Sequence, residues 1–289
     1  MTSSAKASKL FTRAWASSPS ARYPGKDLTV SERENIAYGQ AFPNCDDKMC
    51  WQTKDETELN NKVPESWSKD LSTSLPSADE KKSNVHEFLV LDGVVLKKHL
   101  QEAWKSDPNI ATKLVIGTTA HVAYDKSNPS LFPANMTADD VRAQVEDSKI
   151  GLANLTEEAL SIYGETVQGL ISMISDIRFV CPLVVLARSQ GNLPFYIVTQ
   201  TNGEMNLADV DSDIQAILGR YQTETPEKRR YQDAIRQLFY YYVGHGKLTH
   251  YGSQNFIMRI EQDVYPENNY KNCDFWIKNE FVPHYATVF

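Results

Sequence analysis

Three short apolar segments that alternate with stretches of helical periodicity constrain the fold of this chain more than any other feature. They are EFLVL at 87–91, KLVIG at 113–117 and FYIVTQ at 195–200, and the first two end at Asp-Gly or Gly. Continuous apolar runs of this kind are typical of strands that are buried on both faces of a sheet. Strands that alternate with helices predict an α/β fold with a mixed or parallel sheet.

Helical patterns fill most of the remaining sequence. Pro226 stands just before one of them and Gly244 and Gly246 follow it, as is typical of the start and the end of a helix. The Ser/Asp/Lys-rich stretch at 68–84 predicts a loop, and Asn255–Ile260 predicts a late strand. We predict helices at 7–18, 28–42, 54–67, 137–148, 154–163, 166–186, 227–244 and 270–285.

The composition permits a sizeable core and argues against two functional classes. Of the 289 residues, 41% are hydrophobic, which is enough for a globular domain. The net charge of −7 comes without any basic stripe, so we predict that the chain binds no nucleic acid. No segment approaches the roughly 20 uninterrupted apolar residues of a membrane span, and residues 1–20 lack the apolar core of an export signal.

Four cysteines and two Asn-x-Ser/Thr acceptors are features of an exported protein. The acceptors are Asn135-Met-Thr and Asn154-Leu-Thr, and we predict glycosylation at both asparagines. The alternatives are acceptors that arise by chance and cysteines that are buried thiols of a cytosolic protein. The sequence has features of an exported protein but no export signal of its own. We therefore predict that this chain lacks its beginning.

Two segments around cysteines resemble the C-terminal half of the cholinesterase/carboxylesterase type B family. The segment Phe179-Val-Cys-Pro-Leu is followed later in the chain by Asn272-Cys-Asp-Phe-Trp276. Further landmarks of the family appear in the same order, namely Leu10-Phe-x-Arg-Ala14 of the helix after the nucleophile elbow, Leu91-Asp-Gly93, Leu114–Gly117 and Ile217-Leu-Gly219. The resemblance covers nearly the whole chain. It implies that residues 1–289 are a partial domain, the C-terminal half of an α/β-hydrolase with a mixed, mostly parallel sheet flanked by helices.

The same resemblance implies two disulfides. One closes a small loop between Cys45 and Cys50, and the other joins Cys181 to Cys273. The rival interpretation of the first pair is half of a metal site, but no second Cys/His pair lies at ligand spacing. We predict neither a metal nor a cofactor.

Hydrolysis in this family needs a serine on a Gly-x-Ser-x-Gly elbow, a histidine and a carboxylate. The sequence contains no Gly-x-Ser-x-Gly. The family's acid lies five residues after the glycine at the strand end, and counting from Gly117 places Val122 there. The family's histidine lies nine residues before the later glycine, and counting back from Gly219 places Val210 there. A valine can act neither as a base nor as its orienting acid, so we predict a chain without catalytic residues.

Other polar residues do not replace the missing groups. His121, next to the acid position, is interpreted as a solvated loop histidine, and His245 as a residue at a helix C-terminus. The acids of Asp209-Val-Asp-Ser-Asp213 resemble the start of a calcium loop, but the glycine and the glutamate that such a loop requires are absent. The run Tyr240–Tyr242 and Trp276 are interpreted as packing residues.

A lost triad in a retained fold resembles the cholinesterase-like adhesion molecules. That resemblance implies a non-catalytic ectodomain on the extracellular side of the cell membrane, in a single-pass type II protein. It also implies heterophilic adhesion and axon guidance, with an extracellular protein ligand that is a secreted immunoglobulin-domain protein. A homodimer through the terminal helix at 270–285 is a further expectation. The alternatives are a carboxylesterase fragment, which requires Glu and His at positions 122 and 210, and a secreted pseudoesterase that binds small apolar ligands.

Overall fold

A computed structural model shows how these segments are arranged. It describes residues 10–21, 26–43, 45, 47–64, 71–80, 90–98, 100–106, 113–189, 193–248 and 257–287. In chain order, the strands among these residues are β1 (Ala14–Ser17), β2 (Lys26–Asp27), β3 (Val90–Leu91), β4 (Leu114–Thr119), β5 (Phe195–Val198), β6 (Ile257–Ile260) and β7 (Val264–Glu267). The helices are α1 (Leu28–Gly39), α2 (Lys48–Gln52), α3 (Glu56–Asn60), α4 (Leu100–Lys105), α5 (Ala138–Glu146), α6 (Lys149–Leu152), α7 (Thr156–Tyr163), α8 (Val167–Ser175), α9 (Cys181–Ser189), α10 (Ser212–Ile217), α11 (Pro226–His245) and α12 (Lys271–Lys278).

Five strands form one mixed sheet in the order β1-β4-β5-β6-β7. The first four run parallel, and β7 returns antiparallel to β6 at the edge. Every residue of β4 and β5 is buried, which confirms the interpretation of those two apolar runs as buried strands. The short strands β2 and β3 pair in parallel as a separate ladder. The sheet is flanked by helices, so the α/β fold class is also confirmed.

The most buried helical segment is one long rod that runs from Val167 to Ser189. It consists of α8, a π-helical turn at Asp176–Val180 and α9, which packs against β4. The rod is long and apolar enough to cross a membrane, and most of it is buried inside the domain. Its apolar composition therefore reflects a core position, because its faces are covered by the sheet and by neighbouring helices.

Both disulfides that the family resemblance implies are present. The disulfide between Cys45 and Cys50 closes a short loop at the start of α2. Asp47 caps this helix by accepting a hydrogen bond from the Cys50 amide at 2.8 Å. Cys181 and Cys273 join α9 to α12, with their Cα atoms 5.1 Å apart and both residues fully buried. The long bridge thus ties the terminal helix to the core rod.

A buried arginine in the π-helical turn joins distant parts of the chain. The guanidinium of Arg178, which is 1% exposed, forms two hydrogen bonds with the carboxylate of Glu80, at 2.7 and 2.8 Å. It also donates to the carbonyls of Ser74 and Tyr285 at 2.9 Å. Arg178 therefore fastens both the 71–80 segment and the C-terminal segment to the core.

A second buried polar cluster surrounds Asp176, also in the π-helical turn. Its carboxylate accepts hydrogen bonds from the Tyr163 hydroxyl at 2.6 Å and the Asn272 amide at 3.2 Å. The indole of Trp276 donates to the Tyr163 oxygen at 2.7 Å. Burial raises the pKa of Asp176 to about 7, although these hydrogen bonds act in the opposite direction. The cluster connects α7, the core rod and α12.

The prediction of a helix at 7–18 is wrong for the residues that the structure describes. Ala14–Ser17 is the strand β1, and it pairs in parallel with β4 from Ala14 opposite Leu114. This strand is four residues long and all of its residues are partly exposed, so no alternation of buried and exposed positions marks it in the sequence.

Several boundaries also differ from the sequence-based predictions. The terminal helix ends at Lys278, where Asn279 caps it and Glu280 takes a positive φ of 59°. The helix expected at 54–67 is limited to α3 among the described residues. The remaining helices from 137 to 245 are confirmed to within a few residues, with a short π turn inside the long one.

Candidate functional site

The loops that follow β4 and β5 meet at the carboxyl edge of the sheet, where parallel α/β sheets place their sites. The His121 amide donates to the Ala208 carbonyl at 3.1 Å, and the Ala208 amide donates to Nδ1 of His121 at 2.9 Å. The Val210 amide donates to the Tyr124 carbonyl at 3.1 Å. Three hydrogen bonds therefore hold the two loops together side by side.

These paired loops carry the two positions at which the family resemblance expects the acid and the base. Val122 is 6% exposed, and Val210 lies on the opposite loop and is partly exposed. The structure thus brings together two positions that are 88 residues apart in the sequence and that were identified by counting from Gly117 and Gly219. Neither side chain can accept or donate a proton.

His121 holds the two loops together through its ring. Burial lowers the pKa of His121 to about 4, so the imidazole is neutral near pH 7. Because Nδ1 accepts the hydrogen bond from Ala208, the ring proton is on Nε2. The interpretation as a solvated histidine is wrong, since the ring is partly buried and acts as a crosslink between the loops.

A buried carboxylate anchors the start of α10, three residues after Val210. Asp213 is fully buried and accepts hydrogen bonds from Ser17 Oγ at 2.5 Å, the Tyr196 hydroxyl at 2.6 Å and its neighbouring Ile214 amide at 2.7 Å. The indole of Trp15 donates to the Tyr196 oxygen at 3.0 Å. Burial raises the pKa of Asp213, and the hydrogen bonds from Ser17 and Tyr196 lower it. This network joins the carboxyl end of β1 to the loop that carries Val210.

The remaining site candidates are accounted for separately. His245 is exposed at the end of α11, where its Nδ1 lies 3.0 Å from the Tyr241 carbonyl, as expected for a residue at a helix C-terminus. His284 is exposed, whereas His86, His99 and His250 lie outside the described residues. Tyr242 and Trp276 are buried packing residues, and Tyr240 is exposed. Asn135 and Asn154 are both exposed, and their glycosylation stays a prediction.

A cleft of about 480 Å³ opens beside the paired loops. Its walls combine aromatic and apolar side chains, among them Tyr124, Phe132 and Met205, with charged groups such as Lys126, Asp209 and Arg220. No group of three or more His, Cys, Asp or Glu residues is placed to hold a metal ion within the part of the chain that the structure describes. The sequence pattern gave no sign of this cleft, because its walls come from loops that are far apart in the chain.

Comparisons with known proteins bear on the origin of this site. No family model matches the sequence. Neurotactin of Drosophila melanogaster is 42% identical over 292 residues, an alignment that covers 100% of this chain and 34% of that protein. The chain is homologous to neurotactin. It spans about a third of the length of neurotactin, so the similarity concerns only that part of neurotactin.

Solved structures agree with the fold. A PNB esterase superposes with a TM-score of 0.60 at 15% identity, covering 97% of this chain and 59% of the esterase. A thermophilic PNB esterase superposes with a TM-score of 0.61 at 14% identity and the same coverage. Identities this low establish the fold alone, which is that of α/β-hydrolase esterases. The neurotactin-related chain therefore has an esterase-like fold with valines on its paired loops.

Proposed function

We propose that this chain belongs to a non-catalytic, cholinesterase-like recognition domain that binds an extracellular protein. The observation that carries the proposal is the placement of Val122 and Val210 on the paired loops, where the family resemblance expects an acid and a base. Without both groups a serine has nothing to activate it as a nucleophile. The fold is then retained for recognition.

Homology to neurotactin supports a role in heterophilic cell adhesion and axon guidance. The proposed location is the extracellular side of the cell membrane, in a single-pass type II protein. The proposed partner is a secreted immunoglobulin-domain protein. Glycans on Asn135 and Asn154 and a homodimer through the α12 region are parts of the same proposal. The exposure of both asparagines is compatible with modification.

The test separates recognition from hydrolysis in one preparation. The full-length protein is displayed on suspended cells, which are mixed with beads that carry a panel of secreted immunoglobulin-domain proteins. A parallel sample is treated with a fluorophosphonate probe that labels activated serines. Cells that display an active carboxylesterase are the positive control for labelling. We expect bead capture without labelling.

Two outcomes would contradict the proposal. Fluorophosphonate labelling together with hydrolysis of p-nitrophenyl butyrate would favour the alternative, a carboxylesterase. If the protein is verified at the cell surface and captures no bead type, the proposal of an immunoglobulin-domain partner is contradicted.

A further inference from the structure

Asp209, which lines the cleft beside the paired loops, has a buried carboxylate oxygen without a hydrogen-bond partner among the described residues. Asp209 lines the cleft and is 7% exposed, and its Oδ1 atom accepts no hydrogen bond from any residue that the structure describes. The Tyr221 hydroxyl, which interacts electrostatically with Asp209, is a second buried oxygen without a described partner. Buried polar atoms normally have partners, so each exception needs a physical reason.

Lys126 satisfies Asp209 only in part. Its Nζ atom lies 3.3 Å from Oδ2 of Asp209 and 3.4 Å from Oε1 of Gln215, and its side chain is 53% exposed. A long, half-exposed lysine is held weakly, because it gives up side-chain entropy and keeps much of its contact with water. Burial raises the pKa of Asp209, and the Lys126 charge opposes that shift. Oδ1 of Asp209 thus lacks a partner among the described residues, and Oδ2 is paired only with a half-exposed lysine.

The chemistry of the walls indicates which donor would fit. A guanidinium can donate to the carboxylate and to nearby amide oxygens in one plane, and it stacks on aromatic faces. Asp209 and the amides of Asn202 and Gln222 offer the acceptors, and the partly exposed Tyr124 offers a ring that packs against the buried Phe132. The volume of about 480 Å³ lies within the usual range of binding pockets. A metal ion is disfavoured, because the described residues include no cluster of metal ligands.

We propose that this cleft is a recognition site for an arginine side chain of a protein partner, and that the arginine displaces Lys126 from Asp209. The inference rests on the proposed function, because it assigns the surface through which recognition takes place. Displacement gives it a distinctive signature: removing the Asp209 charge should weaken binding, whereas removing the Lys126 charge should strengthen it.

The probe for the test is a blocked Gly-Arg-Gly peptide, titrated into the full-length protein by isothermal calorimetry. A peptide with citrulline in place of arginine has the same shape without the charge. We expect Asp209→Asn to weaken binding by on the order of tenfold or more, as for the loss of a charged hydrogen bond. We expect Lys126→Gln to tighten it several-fold.

The control variant is Asp211→Asn, two residues away in the same loop. Asp211 is exposed and has a positive φ of 63°, which asparagine tolerates well. This variant should bind as the wild type does. Asp209→Asn should also melt no lower than the wild type, because it removes a buried charge that is only partly compensated. A lower melting temperature would mean that Asp209 has a structural role.

Three outcomes would overturn the inference. Equal binding of the arginine and citrulline peptides would show that the positive charge of the ligand does not contribute to binding. Equal binding of free arginine amide and the peptide would exclude a protein segment as the source. An Asp209→Asn protein that still captures partner-coated beads at the wild-type level would overturn the inference and leave the proposed function intact. Loss of bead capture by the wild type itself would instead count against the proposed function.

Discussion

The buried charges of the π-helical turn show how single residues hold this domain together. The buried guanidinium of Arg178 forms its hydrogen bonds with protein groups, and the Glu80 side chain that faces it is only 8% exposed. A buried ion pair of this kind adds little stability compared with an apolar pair of the same volume, but removing one partner leaves an uncompensated charge. The surface arginine Arg142 differs, because its carboxylate partners Glu157 and Glu165 remain in contact with water.

We expect Arg178→Met to reduce the free energy of unfolding by about 3–5 kcal/mol, because Glu80 is left buried without its partner. Urea unfolding followed by tryptophan fluorescence measures the change. The double variant Arg178→Met with Glu80→Leu should recover part of the loss, and Arg142→Met is the surface control with little expected effect. A double variant that is less stable than the single one would show that the pair is not an isolated unit.

Asp176 predicts a pH dependence of stability. Its pKa is about 7 in the folded protein against an ordinary value of 3.8, so the folded state takes up a proton that the unfolded state does not. This contribution to stability is fully present below about pH 4 and is lost as the pH rises through 7. The free energy of unfolding of Asp176→Asn minus that of the wild type should therefore be larger at pH 8 than at pH 5.

The measurement is the urea midpoint at both pH values, for the wild type, for Asp176→Asn and for Asp139→Asn as an exposed control on α5. The Asp139 variant should follow the wild type at both pH values. An Asp176→Asn protein whose stability differs from that of the wild type by the same amount at pH 5 and pH 8 would mean that the buried carboxyl does not titrate in this range.

At the scale of the elements, close packing between strands decides which residues are allowed. Gly117 in β4 lies opposite Tyr196 in β5, and a Cβ atom on Gly117 would come within 2.1 Å of the tyrosine ring. The ring of Tyr196 is itself fixed by its hydrogen bonds to Trp15 and Asp213. Gly117 is therefore required by the close approach of a fixed aromatic ring.

We expect Gly117→Ala to destabilise the protein by on the order of 1–3 kcal/mol, because the ring cannot move away without breaking its hydrogen bonds. The matched control is Gly244→Ala in α11, where an added Cβ meets no atom within 4 Å. That change should be neutral or stabilise by about 0.5–1 kcal/mol, since alanine is the better helix former. Equal destabilisation by both variants in thermal melts would refute the argument.

Elements with strong local signals could be predicted from the sequence, and those that depend on distant partners could not. The apolar run Leu114–Gly117 in β4 and the proline at the start of α11 predict these two elements correctly, because both patterns are local. β7 is absent from the sequence-based predictions. It contains Pro266, a residue that is rare in strands, and at a sheet edge this proline removes a hydrogen bond that is not needed. The valines of the paired loops were found by counting, whereas the Asp213 network needed the sheet to bring Ser17 and Tyr196 together.

For the whole molecule, the two disulfides differ in what they restrain. The bridge between Cys181 and Cys273 spans 92 residues, and the bridge between Cys45 and Cys50 spans 5. In the chain-entropy model the free-energy gain grows with the logarithm of loop length. Of these two disulfides, the long one joins the core rod to the C-terminal segment, and it does so alongside the hydrogen bonds of Arg178 and Asp176.

Replacing both Cys181 and Cys273 by alanine should cost roughly 4–5 kcal/mol of unfolding free energy, against about 2 kcal/mol for Cys45 and Cys50. Urea unfolding of both double variants under non-reducing conditions measures the difference. A short-loop variant that loses as much as the long-loop variant would contradict the entropic account.

The strand order β1-β4-β5-β6 also determines when the sheet can assemble during synthesis. Ala14 pairs with Leu114, 100 residues later, and each subsequent parallel strand is added next to its predecessor in chain order. At about 5–20 residues per second, β1 leaves the ribosome roughly 5–20 s before its partner β4. During that interval β1 lacks its partner β4, so this part of the sheet can form only after residues 114–119 have been synthesised.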